Sequence, residues 1–186
     1  MTTPKHWEIS PLSKIVDVLD NLRVPVNSSE RNKRPGLVPY YGATGQVGTI
    51  DEALFNEDLL ILGEDGVQFF DPNKPKAYKI SGPAWVNNHA HVLRPKPEKV
   101  LQNFLLHFLN QFNYIGYANG TTRLKLTQGA MNNIPVHLPP LPEQHKIVEV
   151  LEDHLSRLDA ALADVKQAKL KATEFRRPLL QAAFIG

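Results

Sequence analysis

The chain has 186 residues, 42% of them hydrophobic and 22% charged, with a net charge of +2, which suits one globular domain or one domain with an appendage. Cysteine is absent, which excludes disulfides, thiolate metal sites and a cysteine nucleophile and fits a reducing cytoplasm. There is no run of about 18 apolar residues, and Met1-Thr2-Thr3-Pro4-Lys5-His6-Trp7-Glu8 lacks the apolar core of a signal peptide, so neither a membrane span nor secretion is expected.

In chain order, Leu12, Ile15, Val16 and Leu19 recur at helical spacing and predict a short helix. Arg31-Asn32-Lys33-Arg34 is a basic cluster suited to clamping phosphate. Leu37-Val38-Pro39-Tyr40-Tyr41 reads as a strand closed by Gly42, and Gln46 to Ile50 as a second strand. Gly42, Gly45 and Gly48 stand every third residue, but no Gly-Lys-Ser/Thr follows, so they suit tight turns or close approach to a ligand rather than a phosphate loop. Leu59 to Leu62 reads as a buried strand, and Gly63-Glu64-Asp65-Gly66 as a turn. Val67 to Phe70 and Ala77 to Ile80 flank a Pro/Asn turn in a hairpin pattern. Ala84 to Val86 and His89 to Leu93 are further strands. Val100 to Phe112 is a helix with Leu101, Leu105, Phe108, Leu109 and Phe112 on one face.

Thirteen of fifteen prolines lie before residue 141, and Glu143 to Arg177 has neither Pro nor Gly. The texture changes at Leu138-Pro139-Pro140-Leu141-Pro142, read as a stiff extended joint. Beyond it, Val148, Leu155 and Leu162 fall at heptad position a, and Leu151, Leu158 and Val165 at d. Acids crowd the first part of this helix and bases the last, an order that complements the helix dipole and favours antiparallel pairing with a similar helix. The competing reading folds the helix back on its own domain. The expected fold class is α+β: a mixed, mostly-β globular domain with short helices over residues 1–141, then a long coiled-coil-type helix over 142–186.

No dinucleotide fingerprint, methyltransferase motif or nuclease constellation is present, and a catalytic role is not expected. His89 and His91 would share a face of a strand but lack a third ligand of suitable spacing, so no metal site is expected. Lys74 to Pro142 holds eight basic residues and one acid, which would attract a polyanion if it formed one surface. Base-edge hydrogen bonds suit Tyr41, Thr44, Gln46, Asn87, Asn88 and Asn119; phosphate contacts suit Arg31, Lys33, Arg34, Thr121, Thr122, Arg123 and Lys125.

Leu138-Pro139-Pro140-Leu141-Pro142-Glu143-Gln144-His145-Lys146-Ile147-Val148 resembles the stretch that ends a target recognition domain and opens a spacer helix in the specificity subunits of type I restriction-modification enzymes. Trp7-Glu8, Pro39 to Gly45, Gly63 to Gly66, Asn87 to Leu93, Gly120 to Thr127 and Leu179 to Phe184 match in order along nearly the whole chain. The resemblance implies a non-catalytic reader of double-stranded DNA that recruits methyltransferase and restriction subunits; S-adenosylmethionine, ATP and magnesium then belong to those partners, and no cofactor to this chain. A full subunit of the family carries two domains and two antiparallel helices. With one domain and one helix the sequence resembles a half-subunit or a fragment of one, and a homodimer through Val148, Leu151, Leu155, Leu158, Leu162 and Val165 is expected. A stand-alone dimeric DNA-binding regulator and a coiled-coil protein-interaction adaptor are the alternatives.

Overall fold

The computed structural model describes residues 4–185, apart from the side chains of Arg177 and Ile185. The readings placed on Met1–Thr3, and that on the Arg177 side chain, lie outside the described residues. The fold is α+β. It divides into two compact units, Met1–His145 and Lys146–Gly186, so the division falls inside the last helix rather than at its start.

The first unit opens with strand β1 (Glu8–Pro11) and a one-turn helix α1 (Leu12–Ile15), which passes directly into β2 (Val16–Val18). The expected helix to Leu19 therefore stops after one turn. Val16 and Val18 are β-branched, and pairing with a longer partner strand outweighs the helical spacing of Leu12, Ile15, Val16 and Leu19. A single 3-10 turn (Asp20–Leu22) and α2 (Ser28–Asn32, capped by the Asn27 side chain) lead into the hairpin of β3 (Val38–Gly42) and β4 (Gly45–Ile50). Then come β5 (Phe55–Asn56), β6 (Leu59–Gly63), β7 (Ala77–Ile80), β8 (Pro83–Val86), β9 (Ala90–Pro95) and α3 (Gln102–Gln111). The remaining elements are β10 (Ala118–Asn119), β11 (Lys125–Leu126), α4 (Gln128–Asn132), β12 (Pro135–Leu138) and α5 (Leu141–Ile185).

Two four-stranded sheets form the core, in the orders β2-β9-β6-β7 and β4-β3-β8-β5. All five residues of β6 are buried, as a continuous apolar run requires when both faces are covered. Leu59 and Ile61 pack with Phe55, Ala84 and Val86 of the second sheet. Alternation turns Leu60 and Leu62 to the opposite face, beside α3. Burying each of these side chains stabilises the fold by roughly 1.5–3 kcal/mol.

Val67 to Phe70 does not form the expected hairpin with Ala77 to Ile80; β7 pairs with β6 instead. Val67 and Phe69 are buried as anchors of a loop, and Phe69 stacks on Tyr114 with ring centroids 4.9 Å apart. Their hydrophobicity reflects burial rather than strand pairing. The proline-rich joint is also shorter than expected. Leu138 is the last residue of β12 and pairs with Glu8 of β1, and Leu141 and Pro142 already belong to α5. Proline is tolerated in a first helical turn, where its missing N–H has no intrahelical partner. The helix also runs on past Pro178 to Ile185, in keeping with the expected span over 142–186. One proline removes one donor, and the Leu179-Leu180-Gln181-Ala182-Ala183 run that follows has high helix propensity. At 45 residues α5 is about 68 Å long.

Candidate nucleic-acid interface

Four loops meet along one rim of the first unit. The two-residue turn Ala43-Thr44 joins β3 to β4, and Gly45 after it has φ +134°, a conformation that favours glycine. A Cβ on Gly63, at the end of β6, would stand 3.1 Å from the Ala43 carbonyl, so the turn and the Gly63–Gly66 loop are neighbours. The β8–β9 turn is tied to both. Asn87 N–H donates to the Tyr41 carbonyl (3.0 Å), and Glu64 N–H donates to the His89 carbonyl (2.8 Å). The fourth loop, Asn119 to Lys125, is fastened to the same place. Leu126 N–H donates to the Glu64 carbonyl (2.7 Å), and Asp65 bridges Lys125 across an isolated backbone pair. Gly120 is required here: its φ is +139°, and a Cβ would collide with the Arg123 carbonyl.

The rim therefore gathers Tyr41, Thr44, Gln46, Asn87, Asn88, Asn119, Thr121, Thr122, Arg123 and Lys125. Thr44, Gln46, Asn88 and the residues from Asn119 to Arg123 are exposed, as is Lys125, while Tyr41 and Asn87 are half-buried. The Asn87 Oδ1 accepts from His89 N–H at 2.9 Å, which shapes the turn. Arg31, Lys33 and Arg34 are not on the rim. They lie on or just after α2, with the Arg31 guanidinium beside Gly48 of β4. Arg31 stacks on the Tyr40 ring at 4.7 Å, and Arg34 sits over Trp85 at 4.9 Å while pairing with Asp51 (2.8 Å) and Glu52 (3.0 Å). Tyr40 and Trp85 in turn donate to the Val26 and Val24 carbonyls, which seats the segment before α2.

The charges at the rim are largely paired. Arg123 bonds Asp65, and Lys125 bonds Glu64 at 2.9 Å. Glu64 also receives Arg23 (2.9 Å), a residue that sequence reasoning missed because its partner lies 41 positions away. Burial disfavours the Glu64 carboxylate, but hydrogen bonds from Arg23 and Lys125 outweigh it and hold the group below the usual carboxylate range. The Lys125 ammonium is pushed up by the same bond. The segment from Lys74 to Pro142 does not act as one free basic surface either: Arg94 pairs with Glu57 and Lys96 with Asp17, and Lys76 is buried.

His89 and His91 do not share a strand face. His89 lies in the turn and pairs with Asp65 at 3.0 Å. His91 is fully buried in β9, with Nδ1 2.6 Å from Asp20 and Nε2 2.8 Å from the Leu126 carbonyl. Glu64 and Asp65 likewise serve different partners, which leaves no acid/base pair between them.

At the start of α5 two side chains explain the residues that carried the resemblance. Glu143 accepts from Trp7 Nε1 (3.0 Å) and meets His6 (2.9 Å), bonds that hold its carboxylate below the usual range. Gln144 is fully buried; its Oε1 accepts from Leu101 N–H, and its Nε2 donates to the Lys99 and Pro139 carbonyls, each at 2.9 Å.

A family model described as the type I restriction modification DNA specificity domain matches residues 4–172. The chain belongs to this family. This specificity domain is 34% identical over 145 residues to a putative type I restriction enzyme specificity subunit of Haemophilus influenzae, covering 78% of the chain and 36% of that protein. It is 29% identical over 192 residues to the EcoDI specificity subunit of Escherichia coli, covering 98% of the chain and 42% of the relative. The chain thus spans well under half the length of these curated relatives. Among solved structures, one of a type I restriction-modification complex has a chain that matches with a TM-score of 0.67 at 19% identity, over 98% of this chain and 45% of that one. The specificity subunit of M. genitalium matches with a TM-score of 0.64 at 14% identity, over 86% and 42%. Both likenesses concern the fold. The specificity family is one of recognition components, and this member is not itself an enzyme.

Proposed function

We propose that this chain is the sequence-reading component of a type I restriction-modification system, that its rim reads one half of a bipartite double-stranded DNA target, and that it docks methyltransferase and restriction subunits in the cytoplasm. The observation that carries the reading is the convergence of four sequence-distant loops on one rim, where exposed Thr44, Gln46, Asn88, Asn119, Thr121 and Thr122 offer uncharged donors and acceptors for base edges and backbone. Arg123 and Lys125 supply phosphate contacts beside them, and Arg31, Lys33 and Arg34 supply further ones from outside the rim. Two copies associate through the apolar stripe of α5, from Val148 and Leu151 to Leu155, Leu158, Leu162 and Val165. The last four are exposed among the described residues. Among those residues no helix is long and apolar enough to cross a membrane, in keeping with this setting. S-adenosylmethionine, ATP and magnesium are assigned to the partner subunits.

Reconstitution with the methyltransferase subunit encoded beside it, followed by mapping of methylated adenines, tests the scheme. A bipartite palindromic motif is expected; absence of sequence-directed methylation overturns it. Tight site-specific binding with no methyltransferase present would point to a regulator. No DNA binding even at low salt, where phosphate contacts are strongest, would point to a protein adaptor. Sedimentation of a strict monomer at high concentration, or association unchanged by Leu158→Glu, would remove the homodimer.

A further inference from the structure

The exposed stripe of α5 has a mirror pattern about Val165. Toward the N-terminus, apolar residues stand 3, 7, 10, 14 and 17 positions away, at Leu162, Leu158, Leu155, Leu151 and Val148. Toward the C-terminus, the same five offsets fall on Ala168, Ala172, Phe175, Leu179 and Ala182. The heptad alternation of three and four is broken once, by two successive threes at Val165, so that three residues are inserted and the stripe moves to the adjoining side of the helix. Continued in the phase of the first half, position a would fall on Lys169 and Arg176; with the shift the seam continues in a new phase. Val148 and Leu151 are half-buried, and from Leu155 onward the described residues of the stripe are exposed; Val165 is 65% exposed and Phe175 66%.

Two identical helices packed antiparallel about a twofold axis place residue 165−n of one copy opposite 165+n of the other. A seam whose offsets mirror one another is what such a pair needs. We propose that the second copy of this chain covers the stripe with its own, antiparallel, with the twofold axis at Val165; the proposal rests on the homodimer reading above and fixes its register. The layers then place Leu162 against the partner's Ala168 and Leu158 against the partner's Ala172. Leu155 meets the partner's Phe175, Leu151 meets the partner's Leu179, and Val148 meets the partner's Ala182. In three of these five layers a larger side chain faces an alanine, which fills the seam evenly. A parallel in-register pair would set Ala168, Ala172 and Ala182 against themselves and leave voids, and would stack the acidic half on the acidic half. The antiparallel register brings Asp159, beside the seam, opposite the partner's Lys171. Pro178 lies beside the seam rather than on it, so its missing N–H does not interrupt the layers.

The natural chain has no cysteine, so introduced thiols report without background. Val165→Cys is expected to form a disulfide-linked dimer on mild oxidation, because its two copies meet at the axis. Leu158→Cys alone is expected to stay unlinked. Its copies would be 14 residues apart along the pair, about 21 Å, against the roughly 7 Å that a disulfide spans between Cα atoms. Mixed with Ala172→Cys, the same variant is expected to give a linked heterodimer. Self-linking of Leu158→Cys overturns the register, as does a chain that sediments as a dimer while the mixed 158/172 pair stays unlinked; both leave the homodimer standing. A strict monomer overturns both.

Discussion

Gln144 offers the sharpest test of how the helix start is fastened. Its buried amide satisfies one backbone donor, Leu101 N–H, and two backbone acceptors, the Lys99 and Pro139 carbonyls. Gln144→Ala removes all three bonds at once and opens a small buried space in which a single water replaces at most part of them. A buried group deprived of its partner costs about 1–3 kcal/mol, less for carbonyls, which keep a second lone pair in play. The expected destabilisation is therefore roughly 3 kcal/mol. With a urea dependence of roughly 2 kcal/mol per molar, the midpoint falls by about 1.5 M. Trp7 and Trp85 fluorescence follows the transition, and Trp7 also reports on the neighbouring bond to Glu143.

The isosteric change Gln144→Glu separates hydrogen bonding from packing. It keeps an oxygen for Leu101 N–H but aims a second carboxylate oxygen at two carbonyls. That repulsion, with burial, raises the folded-state pKa of the new acid above its unfolded value. The sign follows: the penalty is largest above the folded pKa and is relieved as pH falls through it. The variant should therefore approach the natural chain in stability on acidification. A Gln144→Ala variant within about 0.5 kcal/mol of the natural chain, or a Gln144→Glu variant whose deficit does not change with pH, would refute the reasoning.

Three further outcomes follow from the same geometry. Ile61→Ala, in the fully buried strand between the sheets, should lose roughly 2–5 kcal/mol in chemical denaturation. Because the folded-state pKa of Glu64 is depressed, its carboxylate contributes stability that is present above the unfolded pKa and lost as pH falls through the folded one; Glu64→Gln should be less stable at neutral pH and have a shallower acid limb in a pH-stability titration. Asp65→Asn releases Arg123 from its partner, so DNA binding measured across a salt series should strengthen at low salt, with a slope steeper by up to about one.

Local signals made much of the architecture readable. The apolar run Leu59 to Leu62, the glycine-bounded hairpin around Thr44 and the unbroken helix after the prolines each depend on near neighbours, and each stands close to where the pattern placed it. The errors share a cause. Val67 and Phe69 looked like strand residues because hydrophobicity does not say whether a side chain is buried from a strand or from a loop. Val16 and Leu19 stand at a helical spacing from Leu12 and Ile15, but the pairing of Val16 and Val18 with β9, 75 or more positions away, decided the outcome. The rim residues were named one by one, yet that they form one rim depends on contacts such as Leu126 to Glu64 and Asn87 to Tyr41. The pairing of Arg123, Lys125 and Arg34 with carboxylates was equally invisible, since like charges counted along a segment carry no information about partners from other strands. Glu143 and Gln144 stood out through the family resemblance, but only the fold gives the reason: both fasten the helix to the domain.

The paired charges bear on how a reader of this kind would divide affinity from specificity. A phosphate that takes Arg123 or Lys125 must displace Asp65 or Glu64, so the gain is the difference between two ion pairs near water, which is small. Base readout by Thr44, Gln46 or Asn88 breaks no ion pair, and discrimination is then less diluted by sequence-independent attraction. On the proposed reading, one copy built this way would bind a half-site weakly. Two copies held by the proposed α5 seam would make the second half-site contact intramolecular, and linking of this sort commonly gains 10²–10⁴-fold. On the proposed reading, Leu158→Glu, which touches no DNA, should weaken binding to the full bipartite site by about 100-fold or more, while leaving half-site binding unchanged. A single rim substitution should instead weaken half-site binding itself, by about 1–3 kcal/mol or roughly 5- to 150-fold, and should cost about twice that free energy on the full site, because both copies carry it. Fluorescence anisotropy with full-site and half-site duplexes measures both, and a Leu158→Glu chain that binds the two duplexes with the natural chain's affinities would refute the division of labour between helix and rim.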